Sequence, residues 1–423
     1  MSKEELVEIG AENLNENDGD RTRRRVLVTG ASVAGNALAW WLSRRGFDVT
    51  VVEHYPSFRD GGQNVDVRGA GRTVLEMMGL RDAVAERGTG EAGIRFVDED
   101  DNTIAEFDKD ETGTDGPTAE LEILRGDLAR ILFDACGDAV NFRFNDSIAS
   151  VDDEGDMVSV TFASGQCSEY DLIVIAEGVG SSTRELIFKG ENEPRWLDVT
   201  MGYFTIPKGR GDADHCRIFT AGEGRSIWLR PDNRGTTRAI LVVQKEAEGQ
   251  ETFSPDEQKA FLKEHFADAG WEAERVLEGL STTDDFYFDV LRQVKMDHWS
   301  KGRVILTGDA AWCATPIAGI GTTLALVGAY VLAGELARTL NISPALIRYH
   351  EIMRPFVEKG QGVPKIAPKM LQPQTRFGVA LQHAVLRVAS LPGLKQIAVK
   401  AFASSADDIE LPTYGAVDLG VRR

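Results

Sequence analysis

Several short stretches of the chain join glycine to a carboxylate in the way that nucleotide recognition needs. Gly30 to Gly35 reads G-A-S-V-A-G, directly after the apolar run Arg24 to Thr29. In such a turn the first glycine bends the chain sharply into a helix. The middle position must be small so that backbone can approach a pyrophosphate, and the helix N-terminus offers unpaired N–H groups to the anion. Ser32 stands at that middle position, small and able to donate a hydrogen bond, with Val33 and Ala34 before Gly35. Glu53 ends a second apolar run roughly twenty residues on, where a carboxylate can bind ribose hydroxyls. A purely structural strand-turn-helix would explain the glycines alone; the terminal acid tips the reading to a dinucleotide.

Two later stretches repeat the theme. Asp171 to Ala176 is followed by Glu177-Gly178, and Arg303 to Thr307 by Gly308-Asp309, so each apolar strand ends in an acid paired with glycine. A parallel sheet presents this carboxyl edge to its ligand. Asp309 is suited to a polyol hydroxyl, and the backbone amides after Pro316, with Gly319 and Gly321, allow close approach at the start of a helix. Arg125 opens another helix.

The elements that must position these residues are legible from periodicity. Arg24 to Thr29, Asn36 to Arg45 and Phe47 to Glu53 form a β-turn-α-β unit, the minimal right-handed parallel unit. Gly61 to Gly71 reads as a glycine-punctuated loop before a helix at Arg72 to Met78, and Arg125 to Ala135 as an amphipathic helix. From about 190 to 290 the pattern changes to alternating strands, as in Met201 to Ile206, Ser226 to Arg230 and Thr237 to Gln244, which predicts an inserted antiparallel sheet. The expected fold is therefore α/β, with a Rossmann-like nucleotide domain (24–188 and 291–342), a β-rich substrate domain (189–290) and a C-terminal helical region (343–423). Residues 1–23 read as a disordered acidic tail without the basic and apolar blocks of a signal peptide.

The chain has 423 residues, more than one core usually serves, and a formal charge of -20, which repels nucleic acid and anionic lipid. Four cysteines, at 136, 167, 216 and 313, form no C-x-x-C pair and no His cluster at ligand spacing, so neither a disulfide framework nor a metal site is expected, and a reducing cytoplasm fits. The uncharged stretch Ala310 to Gly334 is broken by Pro316, Gly319, Gly321 and Gly328, which favours a buried helix over a membrane span. Asp66 and Arg68 read as a solvated ion pair or as part of a ligand-side loop, and His54 as a surface or adenine-side residue in preference to a base. Phe204, Phe219, Trp228, Phe286 and Phe288 read mostly as sheet core, with an aromatic substrate wall as the alternative.

In order and spacing, the motifs at Gly30, Glu53, Arg125, Glu177-Gly178 with Arg184, and Gly308-Asp309 make the chain resemble the para-hydroxybenzoate hydroxylase-like flavin monooxygenases over residues 24 to 360. Within them it looks closest to the tetracycline-inactivating and polyketide-modifying branch. The resemblance implies FAD, with Gly30, Ser32, Gly35 and Glu53 at the ADP portion, Arg125 beside the flavin chain, Asp309 at the ribityl or pyrophosphate part, and Gly319 and Gly321 beside the isoalloxazine. It also implies hydride delivery from a transient NAD(P)H, a flavin C4a-hydroperoxide formed with O2, and transfer of one oxygen to an aromatic or polyketide-like small molecule. Glu177, Trp312, Ile320 and Thr323 depart from the usual Asp, His, Gln and Asn; Trp312, Ile317 and Ile320 are expected to make a dry surface over the flavin. The alternatives are another flavin reaction on this scaffold, a non-catalytic FAD-binding protein, or a membrane-surface enzyme held by Phe377 to Phe402; the W-x-W-x-I-P signature of halogenases is absent. Oligomeric state is not legible.

Overall fold

The computed structural model describes residues 23–59, 61–109, 121–362, 364, 367–391, 393–395 and 409–415. Residues 1–22, and with them nearly all of the expected acidic tail, lie outside this range.

β-Branched runs build a six-stranded sheet in which Arg25–Thr29 lies between Asp48–Glu53 and Leu172–Ile175. Val140–Phe144 pairs outside Asp48–Glu53, and Val304–Leu306 outside Leu172–Ile175, all in parallel. Parallel register brings the carboxyl ends of these strands to one edge: Thr29 lies beside Ile175 and Val52, and Ile175 beside Leu306. Helices Val33–Arg44 and Gly321–Arg338 cover the sheet, and their side chains join its strands in one core.

Helix Gly321–Arg338 is buried over almost its whole length, as expected for the uncharged stretch. Residues 310–320 do not join it. They form the short helix Asp309–Trp312 and a single 3₁₀ turn, Pro316–Ala318, because Pro316 and the left-handed Gly319 interrupt the ladder. No described helix is long and apolar enough to cross a membrane.

A seven-stranded sheet runs in the order Phe286–Gln293, Arg195–Pro207, Thr236–Gln244, Arg225–Pro231, His215–Gly222, Gly93–Val97, Thr103–Asp108. Its last two strands come from the segment that sequence assigns to the nucleotide domain; Gly93–Val97 pairs in parallel with His215–Gly222, a long-range partnership that no local pattern announces. Side chains alternate across the sheet. Phe204, Phe219, Phe286 and Phe288 pack against helices Pro255–Phe266 and Ala273–Thr282. Met201, Tyr203, Leu291, Trp228 and Tyr287 face the other way, together with Ile317 of the 3₁₀ turn. The phenylalanines are therefore core, and the cleft wall belongs to their neighbours in sequence.

The glycine-punctuated loop contains a strand, Asn64–Val67, paired antiparallel with Leu121–Leu124. A buried threonine holds it to the long helix: the Arg68 N–H donates to Thr323 Oγ1 (3.1 Å), and that hydroxyl donates to the Arg68 carbonyl (3.1 Å). The helix Arg376–Ala389 packs Leu386 and Ala389 against Thr103–Asp108 and leaves Phe377, Leu381, Val385 and Val388 exposed. The rest of the segment weighed as an alternative membrane anchor, 396–402, lies outside the described residues.

Candidate active site

The three glycine-carboxylate edges meet. Gly30 adopts φ +98°, a region closed to most side chains, and a Cβ there would lie 2.6 Å from the Ala176 carbonyl oxygen. A Cβ on Gly35 would come within 1.9 Å of the Gly30 carbonyl oxygen, and one on Gly308 within 2.8 Å of the Ala34 Cβ. Backbone bonds close the edge, from the Gly30 N–H to Val52, the Ala176 N–H to Thr29 and the Thr307 N–H to Ile175. The turn is thus shaped by main chain on three sides, with the N-terminus of helix Val33–Arg44 opening onto it. Ser32 is the N-cap of that helix, and its hydroxyl caps no backbone N–H. Glu53 accepts a hydrogen bond from the Ala31 N–H (2.9 Å) through Oε2, which holds its carboxylate at the mouth of the turn; its Oε1 meets Tyr55 N (3.1 Å) and the exposed His54 (3.0 Å).

Glu177 is placed differently from expectation. Its carboxylate accepts from the Ser181 hydroxyl (2.7 Å) and from the Thr183 N–H (3.0 Å) and hydroxyl (2.5 Å). Both oxygens are engaged by the start of helix Ser182–Ile187, so the acid braces its own loop. The following Arg184, 3% exposed, donates to the Val179 and Ala310 carbonyls and ties this loop to the Gly308 edge. Trp312 and Ile320 are also corrected: both are buried, Trp312 against Trp299 and Tyr349 and Ile320 beside Gly360, pointing into the core. Of the three expected dry-surface residues, Ile317 alone joins the cleft face. The Asp66–Arg68 ion pair exists (2.7 Å), but both side chains are largely covered instead of solvated.

Asp309 stands on the cleft wall, open to water yet ringed by protein, and burial raises its carboxyl above the ordinary range while Arg125 opposes the rise. Its Oδ1 lies 3.9 Å from where a Cβ on Gly321 would stand, so the acid and the glycine loop share one space. Arg125 sits across this space, 6.0 Å from the Tyr287 ring, with its buried Nε unpartnered among the described residues. Thr315 precedes Pro316 with φ +79°, and its buried hydroxyl also lacks a partner among the described residues. A β-branched residue in that region costs on the order of 1–3 kcal/mol, the kind of strain that clusters at ligand sites. Glycine cradle, ribose-type acid, orphaned guanidinium N–H and strained loop together fit an extended dinucleotide carrying hydroxyls and anionic phosphates, as FAD does.

Sequence reasoning missed the polar floor where the two sheets meet. Arg230 makes two bonds to Glu91 (2.8 and 3.0 Å) and lies 3.0 Å from Glu122. Glu122 also accepts from Asn64 (2.6 Å) and Thr89 (3.0 Å), and burial pushes its carboxyl up to about 7, against the pull of Arg230. These residues are scattered from 64 to 230, and no spacing links them. The fold also brings Glu106, Asp108 and His215 within 4.8 Å of one another, a grouping absent from the sequence reading. Arg95, Asp214 and Lys395 already engage its members.

Comparison with known proteins gives the same answer as the geometry. Residues 23–360 match the family described as FAD binding domain. The chain is 34% identical over 416 residues to the FAD-dependent monooxygenase asL6 of Sarocladium schorii, covering 92% of this chain and 98% of the relative. The crystal structure of tetracycline destructase Tet(51) superposes with a TM-score of 0.79 at 33% identity, covering 93% of this chain and all of that one. Klebsiella pneumoniae HpxO, solved with FAD and uric acid, shares the fold at 21% identity (TM-score 0.71; 92% of this chain, 99% of that one). The chain belongs to the FAD binding domain family, and within it to the flavin-dependent monooxygenases.

Proposed function

We propose that the protein uses a reduced nicotinamide, NADH or NADPH, and O2 to hydroxylate an aromatic or polyketide-like small molecule in the cleft between its two sheets. The observation that carries this reading is the convergence of the Gly30, Ala176 and Gly308 edges onto one cradle, opened toward a wall of aromatic and apolar side chains. In it, Gly30, Ser32, Val33, Ala34, Gly35 and Glu53 hold the ADP half of FAD, with the helix N-terminus at the pyrophosphate. Arg125 and Asp309 hold the chain toward the flavin, and the backbone of Pro316, Gly319 and Gly321 borders the ring. When bound, FAD supplies the reductive activation of dioxygen; the protein's part is to bind, orient and keep water away. Tyr203, Tyr287 and Met201, on the sheet, and Ile317, on the opposing turn, line the side from which a planar substrate would lie against the ring. The name of the tetracycline destructase Tet(51) and the flat aromatic faces of Tyr203 and Tyr287 favour a fused-ring substrate. The reading also takes the enzyme to work in the cytoplasm, where NAD(P)H is supplied.

The test is an NAD(P)H oxidation screen of the purified flavoprotein across phenolic and polyketide compounds, with peroxide and products measured together. Substrate-stimulated oxidation with an oxygenated product is expected. Oxidation that yields only peroxide, whatever the compound, overturns the monooxygenation reading.

A further inference from the structure

The strand Phe286–Gln293 forms the edge of the seven-stranded sheet, and its odd residues face the cleft. Tyr287 stands opposite Tyr203, and Asp289 opposite Met201. Phe288 stands opposite Gly202, where a Cβ would press into Leu262 of the covering helix, so the even residues face the helices. Gln293, also on the cleft side, donates to the Ala314 and Gln361 carbonyls (3.4 and 3.0 Å), which clamps this face against the loop leading to Pro316. Asp289 therefore projects between the apolar wall and the flavin loop.

Its carboxylate is partly open to the cleft, and among the described residues nothing hydrogen-bonds to it or pairs with it within ion-pair distance. The groups that feel its charge come from every side: Arg292 on its own strand, Asp309 and Cys313 at the flavin loop, Tyr203 on the next strand. Burial pushes its carboxyl up to about 6, with Arg292 opposing and Asp309 adding to the rise. A carboxylate with no hydrogen-bond donor of its own gains from one brought by a ligand, and a site built to bond a hydroxyl discriminates against the analogue that lacks it.

We propose that Asp289 accepts a hydrogen bond from a hydroxyl of the substrate, and so selects uncharged, hydroxyl-bearing ring compounds over their ethers and over carboxylates. The ether has no proton to donate; a carboxylate would face both Asp289 and Asp309. The inference rests on the aromatic substrate reading above but is tested without turnover.

Three ring-matched probes, 2-naphthol, 2-methoxynaphthalene and 2-naphthoate, are titrated into the FAD-loaded enzyme while the flavin absorbance is followed. Wild type is expected to bind naphthol about 10- to 100-fold more tightly than either of the others. D289L is expected to lose that preference, and D289N, which keeps an accepting oxygen without the charge, to retain part of it while admitting naphthoate more readily. Retained FAD and a cooperative melt at or above the wild-type temperature certify that both variants are folded. Equal binding of the three probes by wild type, no binding of any, or a preference that survives in D289L overturns the assignment. Failure here leaves the oxidation screen to decide the monooxygenase reading by itself.

Discussion

Replacing Glu122 by Gln should stabilise the protein, and the gain should grow with pH. Glu122 and Glu91 both pair with Arg230: Glu91 takes two of its nitrogens, and the Glu122 carboxylate contacts one of them from a site where its side chain is 3% exposed. Its Oε2 and the Asn64 Oδ1 are both buried without a partner among the described residues. Folding thus favours the protonated acid. The folded carboxyl titrates at about 7 against 4.5 for the free side chain, so its contribution is intact below pH 4.5 and lost as pH rises through 7. At about 1.4 kcal/mol per pH unit, the ceiling on that loss is about 3 kcal/mol. Gln imitates the neutral acid, keeps an oxygen for Asn64 and Thr89, and cannot ionise. If the whole chain melts together, 3 kcal/mol is about 3–4 °C of melting temperature. The assay is the melting difference between E122Q and wild type, both FAD-loaded, from pH 5 to pH 8. The expected difference is near zero or slightly negative at pH 5 and several degrees positive at pH 8. A difference that is flat with pH, or that turns against the variant at high pH, refutes the argument that burial of the Glu122 carboxylate dominates this site.

Two further outcomes follow from the same geometry. Glu53→Gln should weaken FAD by about 10-fold, because a charged acceptor at the turn becomes a neutral one; flavin fluorescence on dilution reads it, and unchanged retention would place the ribose elsewhere. Of the four cysteines, Cys167 alone is exposed, while burial raises the thiols of Cys136, Cys216 and Cys313. Ellman's reagent should accordingly titrate one thiol rapidly in the native protein and all four after denaturation, and a second fast thiol would contradict the burial.

Much of the nucleotide half was legible because its signals are local. A glycine that must turn with positive φ, an apolar run long enough for a buried parallel strand and an acid at its end are fixed by sterics and solvation within a few residues. Gly30, Glu53 and Asp309 were found on that basis. The uncharged run Ala310 to Gly334 reads as a buried helix and is one from Gly321 on, whereas its first part breaks into a short helix and a 3₁₀ turn at Pro316 and Gly319. The strand Asn64–Val67 was not: it is short, sits among glycines, and exists because Leu121–Leu124 pairs with it.

The directions of side chains belong to tertiary structure. Glu177 reads from sequence as a ligand-binding acid, and the fold adds that its carboxylate accepts from Ser181 and Thr183 at the start of the next helix. Trp312 was expected over the flavin, but the aromatic rings of Trp299 and Tyr349 offer it a dry pocket inside. In F-Y-F-D, alternation alone says that Tyr287 and Asp289 share a face, while only the helices packed on Phe286 and Phe288 say which face that is. Local sequence thus determined that this chain makes a dinucleotide cradle, because turn sterics and strand burial act over neighbours. The second sheet beside the cradle was decided by the pairing of strands more than a hundred residues apart, where hydrophobic burial and charge balance are settled by the whole molecule at once.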